Sequence, residues 1–187
     1  TPAVVLACAC LILMLSLGTR QSFGLFLQPL SSSHGWGREI FAFAIAIQNL
    51  VWGLAQPFSG MIADKYGAGR VLVIGGILYV LGLVLMPLSG SGAQLDLSAG
   101  LLIGLGMSGT SFSVVLGVIG RSLSPEKRSL GLGIASAGGS FGQFAMLPYG
   151  QTLITHFGWA AALSILAASV SLIVPLSLAL AGKNTGA

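Results

Sequence analysis

Arg20 is the one formally charged side chain well inside a run of apolar residues long enough to cross a bilayer. At 1.5 Å per residue it stands about 25 Å along that run. A guanidinium presents a planar fork of donors that a carboxylate fits with two parallel hydrogen bonds. A base at such depth either faces a bundle interior or wet cavity, where it meets an anion, or reaches along its own stem to the interface. Both placements are open on the sequence. Ser16, Arg20 and Gly24 recur every fourth residue and would form a small, polar stripe on which a carboxylate could approach the guanidinium.

A second apolar run carries Asn49, Gly53, Gln56 and Gly60 at intervals of four, three and four, with Trp52 beside them. That spacing is one helix face. Uncharged amides and an indole suit a wet cavity that binds a small polar solute; they suit hydrogen bonds between packed helices equally well. Gln143 is the polar exception in a later glycine-rich run. The candidate substrate-binding residues are therefore Arg20, Asn49, Trp52, Gln56 and Gln143. A different chemistry is offered by Gly60-Met61-Ile62-Ala63-Asp64-Lys65-Tyr66-Gly67-Ala68-Gly69-Arg70, a dense run of charge and glycine between two apolar segments. A carboxylate and nearby bases at helix ends can pair in one state and separate in another. Lys65 and Arg70 alone would serve as a topology signal, but that rule does not call for Asp64.

The elements that position these groups follow from composition. Apolar residues make up 55% of the 187-residue chain and charged residues 6%, with a mean hydropathy of +0.95. This is the composition of a multispan membrane protein. The net charge of +4 is spread over short loops rather than gathered on one polar face, which excludes a nucleic-acid partner. A spanning helix needs roughly 20 mostly apolar residues, and six segments qualify, at about 3–27, 39–63, 71–90, 97–120, 129–155 and 159–181. The expected class is all-α, with six transmembrane helices. Lys65, Arg70, Arg121, Lys127, Arg128 and Lys183 fall on one side and only Arg38 on the other. The positive-inside tendency then puts both termini in the cytoplasm and His34, Trp36, Asp96, His156 and Trp159 near the outer surface.

Shifted by 91 positions, Pro57-Phe58 falls on Pro148-Tyr149, Tyr66-Gly67 on Phe157-Gly158, and Ser31 and Ser33 on Ser122 and Ser124. Three helices per unit invert the second copy, so the pattern reads as a 3+3 inverted repeat. Gly100, Gly104, Ser108 and Ser111, and then Gly131, Ala135, Gly138 and Gly142, form tracks of small residues that let helices approach closely. Pro148 and Gly150 predict a kink in the fifth segment. Cys8 and Cys10, two apart on a helix, point apart and read as core residues rather than a disulfide.

Glu39 opens the second segment and no other acidic residue falls inside one, no HExxH pair is present, and His34 and His156 lie in separate loops, so an intramembrane metallopeptidase is unsupported. A membrane-embedded enzyme or receptor would need a nucleophile–base pair, a metal cluster or an appended soluble domain. None is found, and no cofactor is expected.

Gly60, Asp64, Lys65, Gly67 and Arg70 resemble the G-x-x-x-D-R/K-x-G-x-x-R signature between the second and third helices of major facilitator superfamily transporters. Ala68 and Gly69 stand where members of that family often carry bases. Gly18-Thr19-Arg20-Gln21-Ser22-Phe23-Gly24 and Gly35-Trp36-Gly37-Arg38 resemble the first helix and first outer loop of its monocarboxylate and oxalate–formate branch. Gly138-Gly139-Ser140-Phe141-Gly142 does not resemble the G-P-x-x-G-G motif of drug–proton antiporters, which disfavours cation export. The resemblance implies the amino-terminal half of a twelve-helix carrier in a plasma (inner) membrane, moving a small organic anion by alternating access. It also implies a gating role for Gly60, Asp64, Lys65, Gly67, Arg70 and Arg121, in which Asp64 meets Arg70, Arg121 and a helix of the other half when the cytoplasmic side is closed. Opening on Thr1 and closing on the polar stretch 182–187, the chain reads as residues 1–187 of something longer, lacking the carboxy-terminal half. Alternatives are a self-associating or truncated six-helix half with no transport activity of its own, and a carrier of a different small solute. The expected partners are an organic anion, the lipid bilayer, and either the missing half or a second copy.

Overall fold

Lipid leaves backbone N–H and C=O groups no partner but each other, so an apolar chain of this kind closes its hydrogen bonds within helices. The computed structural model describes residues 2–110 and 112–181. Six helical runs in it are long and apolar enough to cross a membrane: α1 (Ala3–His34), α2 (Arg38–Tyr66), α3 (Ala68–Leu85), α4 (Gly92–Ser122), α5 (Pro125–Phe157) and α6 (Trp159–Leu178). The protein is an all-α, multi-pass integral membrane domain. Ser111 of the first small-residue track and Lys183 of the charge pattern lie outside the described residues.

The runs are mostly longer than the sequence suggested. α1 does not stop near residue 27: Pro29 and Ser31–Ser33 remain helical. It ends on Gly35, whose left-handed φ of 68° lets its N–H return to Ser31 and Ser32 carbonyls. The charged run from Gly60 to Arg70 is not a loop either. Helix continues to Tyr66 and resumes at Ala68, so Arg70 lies in the first turn of α3 and Gly67 alone makes the corner. Asp96, placed outside the fourth segment by the sequence, stands inside α4. It opens a π-helical stretch, Asp96–Leu102, with its Oδ1 buried and unpartnered. α5 continues as one helix through Pro148 and Gly150. The irregular turns lie elsewhere, in a 3-10 stretch of α1 (Ser22–Phe26), the π stretch of α4 and a turn at Ser171–Leu172 in α6.

Gly67 (φ 103°, ψ 137°) and Gly158 (φ 85°, ψ 165°) make the two corners that the shift of 91 positions pairs. Each N–H bonds the carbonyl four residues back, Ala63 and Ile154 respectively, at 2.9 Å, and those acceptors are 91 apart as well. α2–α3 and α5–α6 are thus joined in the same way. This backbone region is nearly closed to residues with a Cβ, so Gly67→Ala or Gly158→Ala is expected to destabilise the bundle by about 1–3 kcal/mol. A lowered thermal midpoint in detergent checks this, and an unchanged midpoint would refute it.

α1, α3 and α4 are the most covered spans, whereas α2 and α5 are the least covered and the least apolar. The core lies among the first group, with Ile12, Leu13, Leu72, Tyr79, Leu83, Ile103 and Met107 all fully buried. Small residues set the contact distances. A Cβ on Gly100 would meet Ile47 and the Ala44 carbonyl, and one on Gly104 the Gln48 carbonyl and Val51, so α4 presses backbone-close on α2. Along α5, Gly138 abuts Cys10 and Gly142 abuts Met14, so α5 presses on α1.

Candidate functional site

Arg20 stands near the midpoint of the 32-residue helical run of α1. About 20 Å of helix separates it from His34, farther than an arginine stem extends. Its Nη2 donates to Asn49 Oδ1 on α2, and its guanidinium carbon lies 5.3 Å from the centroid of the Trp52 ring. An amide oxygen and an aromatic face each attract a cation without neutralising it. Among the described residues the one ion pair is made elsewhere, so Arg20 has no carboxylate beside it. Arg20 and Trp52 are half-buried and Asn49 is exposed.

The remaining candidates are less closely gathered. Gln56 is half-buried one turn beyond Trp52 on α2. Gln143, half-buried on α5, makes no hydrogen bond among the described residues, and nothing joins it to Arg20. The stripe of Ser16, Arg20 and Gly24 does not form. Ser16 is fully buried, with its hydroxyl 2.9 Å from Thr110 Oγ1 on α4. Gly24 falls in the 3-10 stretch, where three residues per turn break the register of four.

Gln48, Asn49's neighbour, was not singled out by the sequence. It is fully buried, and its Nε2 donates to the Ala99 carbonyl at 2.8 Å, inside the π stretch of α4. A wider helical ladder offers carbonyls to side chains, and Gln48 uses one to fix the register of α2 on α4. Two adjacent amides lie about 100° apart on a helix. The buried one holds the helix and the exposed one meets Arg20.

Asp64, Lys65, Arg70 and Arg121 lie at one end of the bundle. Arg121 Nη1 lies 3.1 Å from Asp64 Oδ1, with the side chains 51% and 72% exposed respectively. Arg121 folds back over Gly117, where a Cβ would come within 3.3 Å of Nη1, so that glycine leaves the guanidinium its path. Arg70 is exposed and makes no ion pair among the described residues. Lys65 Nζ lies 5.2 Å from the Tyr66 ring centroid. Gly60 has open space around it and Gly67 makes the corner. At the opposite end His34 stacks on Trp36, with ring centroids 4.2 Å apart, and tilts against Trp159 at 5.7 Å.

Residues 9–184 match the family description Major Facilitator Superfamily. The chain belongs to the major facilitator superfamily. Among curated members it is similar to monocarboxylate transporter 11 of Mus musculus, 33% identical over 88% of this chain and 36% of that protein. It is also similar to monocarboxylate transporter 13 of Bos taurus, 32% identical over 87% of this chain and 39% of that protein. The chain thus spans little more than a third of those relatives. Two solved structures share the fold, each with a TM-score of 0.79. One is a bacterial homologue of the human lysosomal transporter Spinster, inward-facing and unoccupied, at 17% identity over 96% of this chain and 43% of that one. The other is a peptide transporter, POT, at 21% identity over 97% of this chain and 39% of that one. Six helices covering this share of a superfamily member are consistent with half of the twelve-helix fold. Superfamily members are carriers, not enzymes.

Proposed function

We propose that this chain is the amino-terminal half of a twelve-helix carrier that moves a small monocarboxylate-like anion by alternating access. One observation carries the reading: a guanidinium at mid-height in a membrane-spanning bundle, held by neutral groups and without a carboxylate beside it. A substrate carboxylate completes that charge, and the names of the curated relatives fit such a solute. α2 and α5 supply the face for the second half, being both the least covered and the least apolar spans. Arg20, Asn49, Trp52, Gln56 and Gln143 line this half's wall of the passage. The positive-inside tendency places the Asp64–Arg121 end, and both termini, in the cytoplasm of a cell with this carrier in its plasma (inner) membrane.

The test is uptake by the assembled transporter, both halves together, in proteoliposomes. Labelled acetate, pyruvate and lactate are compared with glucose and choline. Saturable uptake of at least one monocarboxylate, and of neither other solute, is expected. Saturable uptake of glucose or choline alone would overturn the reading.

Asp64 governs the balance of states rather than substrate binding, because it lies at the bundle end and Arg20 at mid-height. Both members of its ion pair belong to this half, so together they present a fixed charged surface to whatever closes over that end. A contact between that exposed charged surface and the facing half, made only when that end is closed, contributes about 1 kcal/mol at most, enough to shift two populations severalfold. Asp64→Asn is therefore expected to raise the reactivity of cysteine probes at that end severalfold and to slow turnover. Unaltered reactivity with normal turnover would reduce the run to a topology signal.

A further inference from the structure

We propose that Tyr79 is a positioning residue for Arg20, an inference that rests on Arg20 being the anion anchor. Between Arg70 and Ser89, Tyr79 is the only side chain of α3 with a hydrogen-bonding group. It is fully buried and among the largest side chains in the core. Its O–H donates to the Ser16 carbonyl across in α1 at 2.7 Å. In a helical ladder that carbonyl is the acceptor for the N–H of Arg20. The phenol is therefore bound to the peptide group on which Arg20's own turn closes.

That turn needs an external hold because regular α-helix ends directly beyond it. The α-helical part of α1 closes at Gln21, the 3-10 stretch occupies Ser22–Phe26, and the Ser22 hydroxyl takes the Thr19 carbonyl at 2.7 Å. Moving the boundary between the two ladders by one residue rotates the following side chain by about 20°, which swings a guanidinium tip by about 2 Å. A hydrogen bond to Asn49 and a stack on Trp52 do not survive such a swing. The Tyr79 hydroxyl fixes the last α-helical turn and with it the direction of Arg20.

The phenol is itself held from α4. A Cβ on Gly106 would come within 2.7 Å of the Tyr79 nitrogen and 2.9 Å of its Cα, so the α3 backbone sits directly on that glycine. One turn on, the Thr110 hydroxyl donates to the Gly106 carbonyl at 2.9 Å, which leaves its oxygen to accept from the Ser16 hydroxyl. Carbonyl and hydroxyl of Ser16 are thus gripped by α3 and α4 respectively. All of these contacts lie within one half, so rocking of the halves leaves them unbroken, and their loss acts on binding rather than on turnover.

Tyr79→Phe keeps the ring in the core, and the Ser16 carbonyl retains its helical partner, so the fold is held. In the assembled transporter, with the best-transported of acetate, pyruvate and lactate, KM is expected to rise about threefold to tenfold, the worth of one net hydrogen bond. Turnover and membrane abundance should hold. In an Arg20→Lys background the same change should add little, because two residues acting through one contact are not additive. An unchanged KM, or an effect carried in full onto Arg20→Lys, would reduce Tyr79 to core packing and overturn the proposal while leaving the anchor intact. If Arg20→Gln itself left uptake normal, the anchor reading would fail first, and the proposal with it.

Discussion

Arg20→Gln is expected to abolish saturable anion uptake in the assembled transporter while leaving its abundance in the membrane unchanged. Glutamine keeps hydrogen-bonding capacity toward Asn49 and still packs beside Trp52, so the bundle loses a charge but little contact. What disappears is the one group at mid-height that a carboxylate can pair with. A charge-assisted, two-pronged contact contributes about twice what a neutral hydrogen bond does, and more where water is scarce. Arg20→Lys should restore uptake only in part, because an ammonium supplies the charge as a point and not as a fork. Uptake equal to the parent in Arg20→Gln would mean that the guanidinium serves packing alone.

The second large effect is on folding. α1 and α5 touch backbone to backbone at Gly18 and Gly142. A Cβ on Gly142 would lie 2.5 Å from Met14 Cα, and one on Gly18 would lie 2.6 Å from the Gly142 carbonyl oxygen. Neither obstacle is a flexible side-chain end, so helices must part. Gly142→Val is expected to destabilise the bundle by about 3 kcal/mol, the upper end for overpacking, and to remove most folded protein. Gly133, also on α5, has nothing within 4 Å of its would-be Cβ, and Gly133→Ala should leave the thermal midpoint level or slightly raised by better helix propensity. Equal tolerance at positions 142 and 133 would contradict the packing of α5 on α1.

Much of this architecture is legible in the sequence because membrane chemistry leaves few alternatives. A bundle of six helices follows from hydropathy, and the tracks through Gly100 and Gly142 announce close approach, since a helix gains from glycine only where something presses on it. Tyr66-Gly67 and Phe157-Gly158 declare two like corners because only glycine adopts their φ. Arg20 stands out as a charge in an apolar run, and Asn49 and Trp52, picked from one stretch of α2, both meet it. Helix ends were less legible. Pro29 and the serines after it look like loop, yet Gly35 is the residue with the left-handed φ that ends the helix.

The supports of the candidate site were not legible. Tyr79 in an apolar run reads as core packing, which it also is, and its hydroxyl has meaning only once Ser16 is seen across from it. Gln48 and Asn49 are adjacent amides, and which of them faces inward is decided by the glycines of α4. Asp64 meets Arg121, 57 residues away, rather than the closer Arg70, because the corner at Gly67 carries Arg70 into the first turn of the next helix.

The most direct test of the anion anchor compares two competitors of one shape and different charge. Uptake of the best-transported labelled monocarboxylate is measured in the assembled transporter, with rising amounts of the unlabelled acid anion or of its neutral amide. A site organised around the Arg20 guanidinium should be inhibited by the anion at concentrations near KM and by the amide only far above it. Equal inhibition by the two would contradict the account, for the site would then be reading shape and not charge.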